Sequence, residues 1–137
     1  MKKDFDRWNK DKQKIHGSIP DPEEFFSERE IWWCALGCNV GDEEDGKNYD
    51  FERPVLIVKK FNRQIVLAVP ISTKNKDNPY YFPFKHDGIT FSIMISQLRL
   101  LSTKRFLRRI RKIDHNLFSE IKNKIVEMIL KRTNPVL

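Results

Sequence analysis

From residue 30 to residue 113 the chain is divided into short apolar runs by turn-forming residues, and a helical spacing follows them. Residues 30–36 are aromatic and apolar. Residues 53–60 (Arg-Pro-Val-Leu-Ile-Val-Lys-Lys) are dense in β-branched side chains, and Pro54 suits the start of a strand. Phe61-Asn62-Arg63 makes a tight connection to a further run over 64–72. The runs 80–84 and 89–93 flank His86-Asp87-Gly88, and Asp-Gly between two such runs signals a hairpin. Residues 97–101 read as another strand, with Gln97, Arg99 and Leu101 on one face, and 109–113 as a last short one. Asp114 then caps a helix to about Lys131. Its stripe of Leu117, Phe118, Ile121, Ile125, Met128 and Ile129 is core or dimer packing. Many short strands closed by one helix leave few options. The expected fold is mainly β with α: a small, strongly bent sheet or β-barrel with a C-terminal helix.

Residues 3–15 form a separate short helix, with Phe5, Trp8 and Ile15 roughly on one side. Gly17-Ser18-Ile19-Pro20-Asp21-Pro22 then breaks any helix. Residues 1–28 are therefore expected to be an N-terminal helical extension docked through Trp8 and Phe5, with a partner contact as the alternative. The main domain is expected over 29–134.

With 137 residues, 39% hydrophobic and 33% charged, the chain suits one soluble folded domain. No apolar run approaches the roughly 20 residues of a membrane span, and Met1-Lys2-Lys3-Asp4-Phe5-Asp6 does not resemble a signal peptide. The expected location is the cytoplasm, with no membrane partner. Cys34 and Cys38 lie too far apart for an easy disulfide and lack the pair spacing of zinc sites, while His16, His86 and His115 are scattered. Reduced, partly buried thiols and no metal are expected.

The net charge of +7 is unevenly spread. Residues 39–52 carry six acids against Lys47 alone; residues 53–76 carry six bases and no acid. Residues 99–113 carry seven bases and no acid. Such asymmetry points to a polyanionic partner, nucleic acid (RNA or DNA) first, or else to a solvated basic surface. Within it, Arg53 and the hydroxyls of Ser72 and Thr73 fall at strand ends, where they can hold a phosphate without metal or cofactor. Lys74 and Lys76, just beyond, are candidates for contact with the nucleic acid. Tyr80 and Tyr81 can stack on bases or join the core.

The order of these elements resembles the MazF/PemK family of toxin ribonucleases over about residues 29–130. The resemblance implies that Arg53 is the catalytic arginine of an Arg-Pro-Val strand. Ser72 stands where the family usually has threonine, with Thr73 next to it as the alternative hydroxyl. Ser96-Gln97-Leu98-Arg99 is similar to the family's Glu-Gln-Ile-Arg strand, so Gln97 and Arg99 are RNA-binding candidates. Gly41-Asp42-Glu43-Glu44-Asp45-Gly46 is similar to the mobile Gly-x-Glu-Gln-x-Gly loop over the RNA groove, which makes Gly41 a candidate too. Arginine cannot act as a base near neutral pH, so Glu43 is the candidate general base. The resemblance implies a homodimer, a partner antitoxin, and metal-independent cleavage of single-stranded RNA to a 2′,3′-cyclic phosphate and a 5′-hydroxyl. A gyrase-binding toxin of the related CcdB type and a non-catalytic RNA-binding module are the rival readings.

Overall fold

A computed structural model describes residues 2–21, 24–74 and 77–131. It contains two helices, α1 (Phe5–His16) and α2 (His115–Leu130), and seven strands. The strands are β1 (Glu30–Ala35), β2 (Glu52–Lys60), β3 (Ile65–Ser72), β4 (Tyr81–His86), β5 (Ile89–Met94), β6 (Arg99–Ser102) and β7 (Phe106–Lys112). All pairings are antiparallel, in the order β4-β5-β3-β2-β1-β7, with β6 on β3. This is the bent, mainly β sheet with a C-terminal helix that the sequence pattern calls for.

The bend originates in β3. One side of β3 pairs with β2. On its other side, Ile65–Ala68 pair with β6 while Ile71 and Ser72 pair with β5. One strand thus serves two sheet directions, and its last residues lie where the two directions diverge.

The central strands bury both faces, which explains runs that are continuously apolar rather than alternating. Ile31, Leu56, Val69, Ile71 and Ile93 pack in one cluster with Phe118, Ile121 and Ile125 of α2. Trp32, Cys34, Val55, Ile57, Val66 and Phe106 form a second cluster on the opposite face. Burial pushes the Cys34 thiol up to about 12, so it is an inert core residue.

The strand ends follow local chemistry. Asn62 Oδ1 accepts from the backbone N–H of Gln64 and of Ile65, fixing the β2–β3 turn. Asp87 (φ 50°) and Gly88 (φ 76°) form the two-residue β4–β5 turn in the left-handed region that twisted hairpins require. Asp114 caps α2 by accepting from Leu117 N–H at 2.8 Å.

Two boundaries and one docking contact differ from the pattern. Residues 95–97 form a 3-10 turn, so Gln97 precedes β6 instead of lying on it. β7 begins at Phe106 because its pairing with β1 extends back to Cys34. On α1, Trp8 docks against Ala35 and Phe51, whereas Phe5 is exposed.

Most of the basic run beyond residue 99 is committed internally. Lys104 Nζ donates to the His16 carbonyl at the end of α1 (2.7 Å). Arg105 donates to the carbonyls of Ala35 and Leu36. Arg109 pairs with buried Glu30 at 3.1 Å. Arg108 grips buried Glu52 with both terminal nitrogens, at 3.1 and 3.0 Å. These contacts tie Lys104, Arg105 and β7 to their neighbours, so these four bases are not free on a solvated surface.

Two stability predictions follow from this packing. Ile121→Ala, which empties a fully buried site between α2 and the sheet, should cost about 2–5 kcal/mol in urea unfolding. The Arg108 fork, helped by Asn48 and opposed by burial, holds the Glu52 carboxyl below its ordinary value. A depressed carboxylate stabilises fully above its unfolded value of about 4.3 and loses that contribution as pH falls through the folded value. In acid-unfolding titrations, Glu52→Gln should therefore flatten the dependence of stability on pH below about 4.3.

Candidate active site

Where β2 begins and β3 ends, the surface opens into a cavity of about 410 Å³. The pairing of Val55 with Pro70, carried two residues further, sets Arg53 across from Ser72 on the same face of the sheet. Both side chains line the cavity, as do Thr73 and Lys47. Ile31 and Trp33 of β1, Phe84 and His86 of β4, Phe91 of β5, and Ile110 and Arg111 of β7 complete much of the wall.

Arg53 is only 5% exposed, so its guanidinium must find acceptors inside the protein. Its Nε donates to the Asp45 carbonyl at 2.7 Å and its Nη1 to the Ile71 carbonyl at 3.2 Å. Its Nη2 forms an ion pair with the Glu44 carboxylate at 2.7 Å. Burial lowers the Arg53 pKa, while Glu44, Asp45 and Tyr81 pull it back up. The group remains a cation at any ordinary pH. An anionic oxygen replacing the Glu44 carboxylate would meet the same donor.

The acidic loop that supplies these acceptors is held at several points. Gln97 receives the Glu44 N–H at its Oε1 (3.1 Å) and donates from its Nε2 to the Asp42 carbonyl (3.1 Å). Asn39 donates to the carbonyls of Leu36 and Glu44, and its own N–H reaches the Asp45 carboxylate at 2.6 Å. From the N-terminal segment, Lys3 Nζ reaches the Asn39 carbonyl (2.6 Å), the Gly41 carbonyl (3.0 Å) and the Asp45 carboxylate (3.0 Å). Glycine is required at both ends of the loop's path. A Cβ on Gly37, which has φ 79°, would lie 2.0 Å from the Trp8 ring; one on Gly46 would lie 1.6 Å from the Phe51 carbonyl oxygen.

Several residues singled out from the sequence fall together here: Arg53, Ser72 and Thr73 in the cavity wall, Gln97 and Gly41 in the loop's fastening. Ser72 is buried and shares Arg53's face; its Oγ accepts from the Lys74 N–H at 3.1 Å, leaving the hydroxyl proton free to donate. Thr73 and Lys74 are exposed. Glu43 is not positioned as expected: its carboxylate turns back to accept from the Val40 N–H at 3.0 Å, and the carboxylate on Arg53 belongs to Glu44. Arg99 does not line the cavity; its charge acts on Arg105 and the Cys34 thiol. Lys76 lies outside the described residues. Among the described residues, no group of three or more His, Cys, Asp or Glu side chains is placed to hold a metal ion.

The cavity also contains residues that sequence reasoning passed over. Lys47 sits near Arg53 and Lys74, and burial together with those two charges lowers its pKa. The isolated antiparallel bridge between Lys47 and Glu52, which closes the short turn before β2, puts it there. His86 reaches the wall from the hairpin tip, with Nε2 3.1 Å from the Asp87 carboxylate. Arg111 was one of seven indistinguishable bases in the sequence.

Comparison with known proteins gives a consistent result. Residues 27–129 match the family model described as PemK-like, MazF-like toxin of type II toxin-antitoxin system. Among solved structures, the chain is similar to MazF from Deinococcus radiodurans, with a TM-score of 0.63 and 16% identity over 82% of this chain and 97% of that one. It is also similar to an endoribonuclease in complex with its cognate antitoxin from Mycobacterial species (TM-score 0.57, 16% identity, 77% of this chain and 97% of that one). The Mycobacterium tuberculosis toxin MazF-mt6 gives a TM-score of 0.57 at 15% identity, over 77% of this chain and all of the other (100%). No curated protein matches the sequence significantly.

The loop geometry predicts how it loosens. Lys3→Ala removes three contacts and Glu44→Gln removes an ion pair. In either variant, backbone amides of residues 39–46 should exchange with solvent faster, roughly tenfold for each 1.4 kcal/mol of loop stability lost. Amides of β2 and β3 should be unaffected. Hydrogen exchange followed by mass spectrometry reads both.

Proposed function

Because this chain belongs to the PemK-like, MazF-like toxin family of type II toxin-antitoxin systems, we propose that it is an endoribonuclease that cuts single-stranded RNA without a metal ion. The observation that carries this reading is the placement of buried Arg53 across from buried Ser72 on one face of the sheet, both lining the cavity. In the proposed reaction a ribose 2′-hydroxyl attacks the adjacent phosphorus. The new P–O bond forms as the bond to the 5′-oxygen breaks, and that oxygen takes a proton from water as it leaves, giving a 2′,3′-cyclic phosphate and a 5′-hydroxyl.

Arg53 supplies fixed positive charge to the non-bridging oxygens as the phosphorane develops, the kind of preorganised stabilisation that contributes most to such steps. Ser72 donates its hydroxyl proton to the same phosphate, and Lys47 adds charge beside it. Glu44 has two successive tasks in this scheme. In the free protein it occupies the phosphate's place on Arg53. Once displaced, it is the carboxylate within reach of the site to accept the 2′ proton. The loop 39–46 must therefore open for RNA to bind, and its contacts with Lys3 and Gln97 set the free energy of opening.

The same reading assigns a homodimeric assembly, a cytoplasmic setting, and an antitoxin whose acidic or apolar tail competes for the cavity. One solved relative is described in complex with its cognate antitoxin. The acidic loop on Arg53 supports the idea by example, since it shows that a carboxylate can fill this position.

The test is an RNA cleavage assay in excess EDTA. The wild type should give discrete fragments with 5′-hydroxyl ends. Arg53→Ala should cleave roughly a hundredfold or more slowly, and Ser72→Ala should lose more activity than Thr73→Val. Intact RNA with folded wild-type protein would defeat the nuclease reading; a gel shift without cutting would favour an RNA-binding module.

A further inference from the structure

Arg111 differs from the arginines around it. Arg105, Arg108 and Arg109 are engaged with carbonyls or carboxylates of the protein. Arg111 Nη1 is closed off from solvent and has no hydrogen-bond acceptor. A buried guanidinium N–H without a partner is unfavourable and calls for an explanation. The residue pairs with Ile31 on β1 and lines the same cavity as Arg53.

Its surroundings differ from those of Arg53. Arg53 shares a face with Val55, in the cluster on one side of the sheet, whereas Arg111 lies two residues before Ile113, in the cluster on the other. The two guanidinium groups reach the one cavity from different faces of the sheet. Charge gathers at the Arg53 end, where Lys47 and Lys74 lie close enough to perturb one another. Much of the remaining lining is apolar: Ile31, Trp33 and Ile110 from the strands around Arg111, and Phe84 and Phe91, stacked at 5.5 Å and 27°, from the β4–β5 hairpin beside His86. Aromatic walls favour the face of an unpaired nucleobase, and a phosphate would give up its hydration there for little in return.

We propose that the apolar part of the cavity is a nucleobase pocket and that Arg111 is a specificity residue that reads guanine. The inference rests on the single-stranded RNA reading above and adds the base that the site selects. Arginine has donors only, in a planar fork. Guanine offers two acceptors, O6 and N7, side by side. Adenine places an amino group beside its N7, which would oppose a second arginine N–H, and a pyrimidine offers no such pair of acceptors. A turn about the terminal torsions of Arg111 brings Nη1 onto the base edge and gives it the acceptor it lacks. The cavity volume of about 410 Å³ suits a group of nucleotide size.

The test is to map cut sites for the wild type and Arg111→Ala on a long unstructured RNA by sequencing fragment ends. Wild-type cuts should share a guanine at one fixed position relative to the broken bond. Arg111→Ala should still cut, with its preference for guanine at that position reduced about tenfold or more. An unchanged preference would overturn the proposal. So would an even loss at all sites, which would make Arg111 a phosphate contact.

A binding measurement separates this inference from the reaction itself. GMP, AMP, CMP and UMP are titrated into the intact protein while the ring resonances of Phe84 and Phe91 are followed by NMR. GMP should perturb them at the lowest concentration, and Arg111→Ala should respond alike to all four. Base-independent responses in the wild type would overturn the pocket whether or not RNA is cut. A GMP-selective response in a protein that never cuts RNA would uphold the pocket and defeat only the nuclease.

Discussion

The arrangement of this protein depends on burying the Arg53 guanidinium. A charged group that is 5% exposed must be surrounded by acceptors or it destabilises the fold. Three acceptors are provided, by the Asp45 carbonyl, the Glu44 carboxylate and the Ile71 carbonyl. They come from the acidic loop and from the end of β3. Holding Arg53 thus brings together the start of β2, the loop between β1 and β2, and the point where β3 passes from one sheet direction to the other. The site is a consequence of where the sheet bends.

The same contacts give the site a resting state. Of the three acceptors, the two carbonyls belong to backbone, and one of these lies within a buried strand. The Glu44 carboxylate is a half-buried side chain on a loop, and it is the partner that can leave at least cost. Gln97 and Asn39 hold the loop from within the domain, while Lys3 holds it from the N-terminal segment. Trp8 packs where Gly37 has no side chain, and the Arg7 guanidinium lies 4.1 Å from the ring centres of Tyr49 and Phe51. The extension therefore sits against the loop that occupies Arg53, so its docking and access to the site are physically connected.

Much of this was legible in the sequence because it rests on local chemistry. Period and turn formers marked the strands, Asp-Gly marked the hairpin, and Asp114 marked the start of α2. Arg53 and Ser72 were legible because they flank dense apolar runs and so lie at strand ends. What was missed depends on contacts distant in sequence. Glu43 and Glu44 are equivalent as letters; only the path of the loop turns one to Val40 and the other to Arg53. The basic run pointed to a polyanion or a solvated surface because its partners, Glu30 and Glu52, lie far upstream in the sequence. His86 and Arg111 meet in one cavity because the sheet curls, and no spacing in the chain encodes that meeting.

The central claim is that Arg53 exchanges the Glu44 carboxylate for a phosphate. The most direct measurement follows the Arg53 Nε–H resonance by NMR during titration with a 2′-deoxy single-stranded analogue, which can bind but lacks the attacking hydroxyl. The account predicts that this resonance moves on binding while amides of residues 39–46 lose their protection from exchange. Binding that leaves the Arg53 resonance and the loop unchanged would contradict it, because the nucleic acid would then lie elsewhere on the surface.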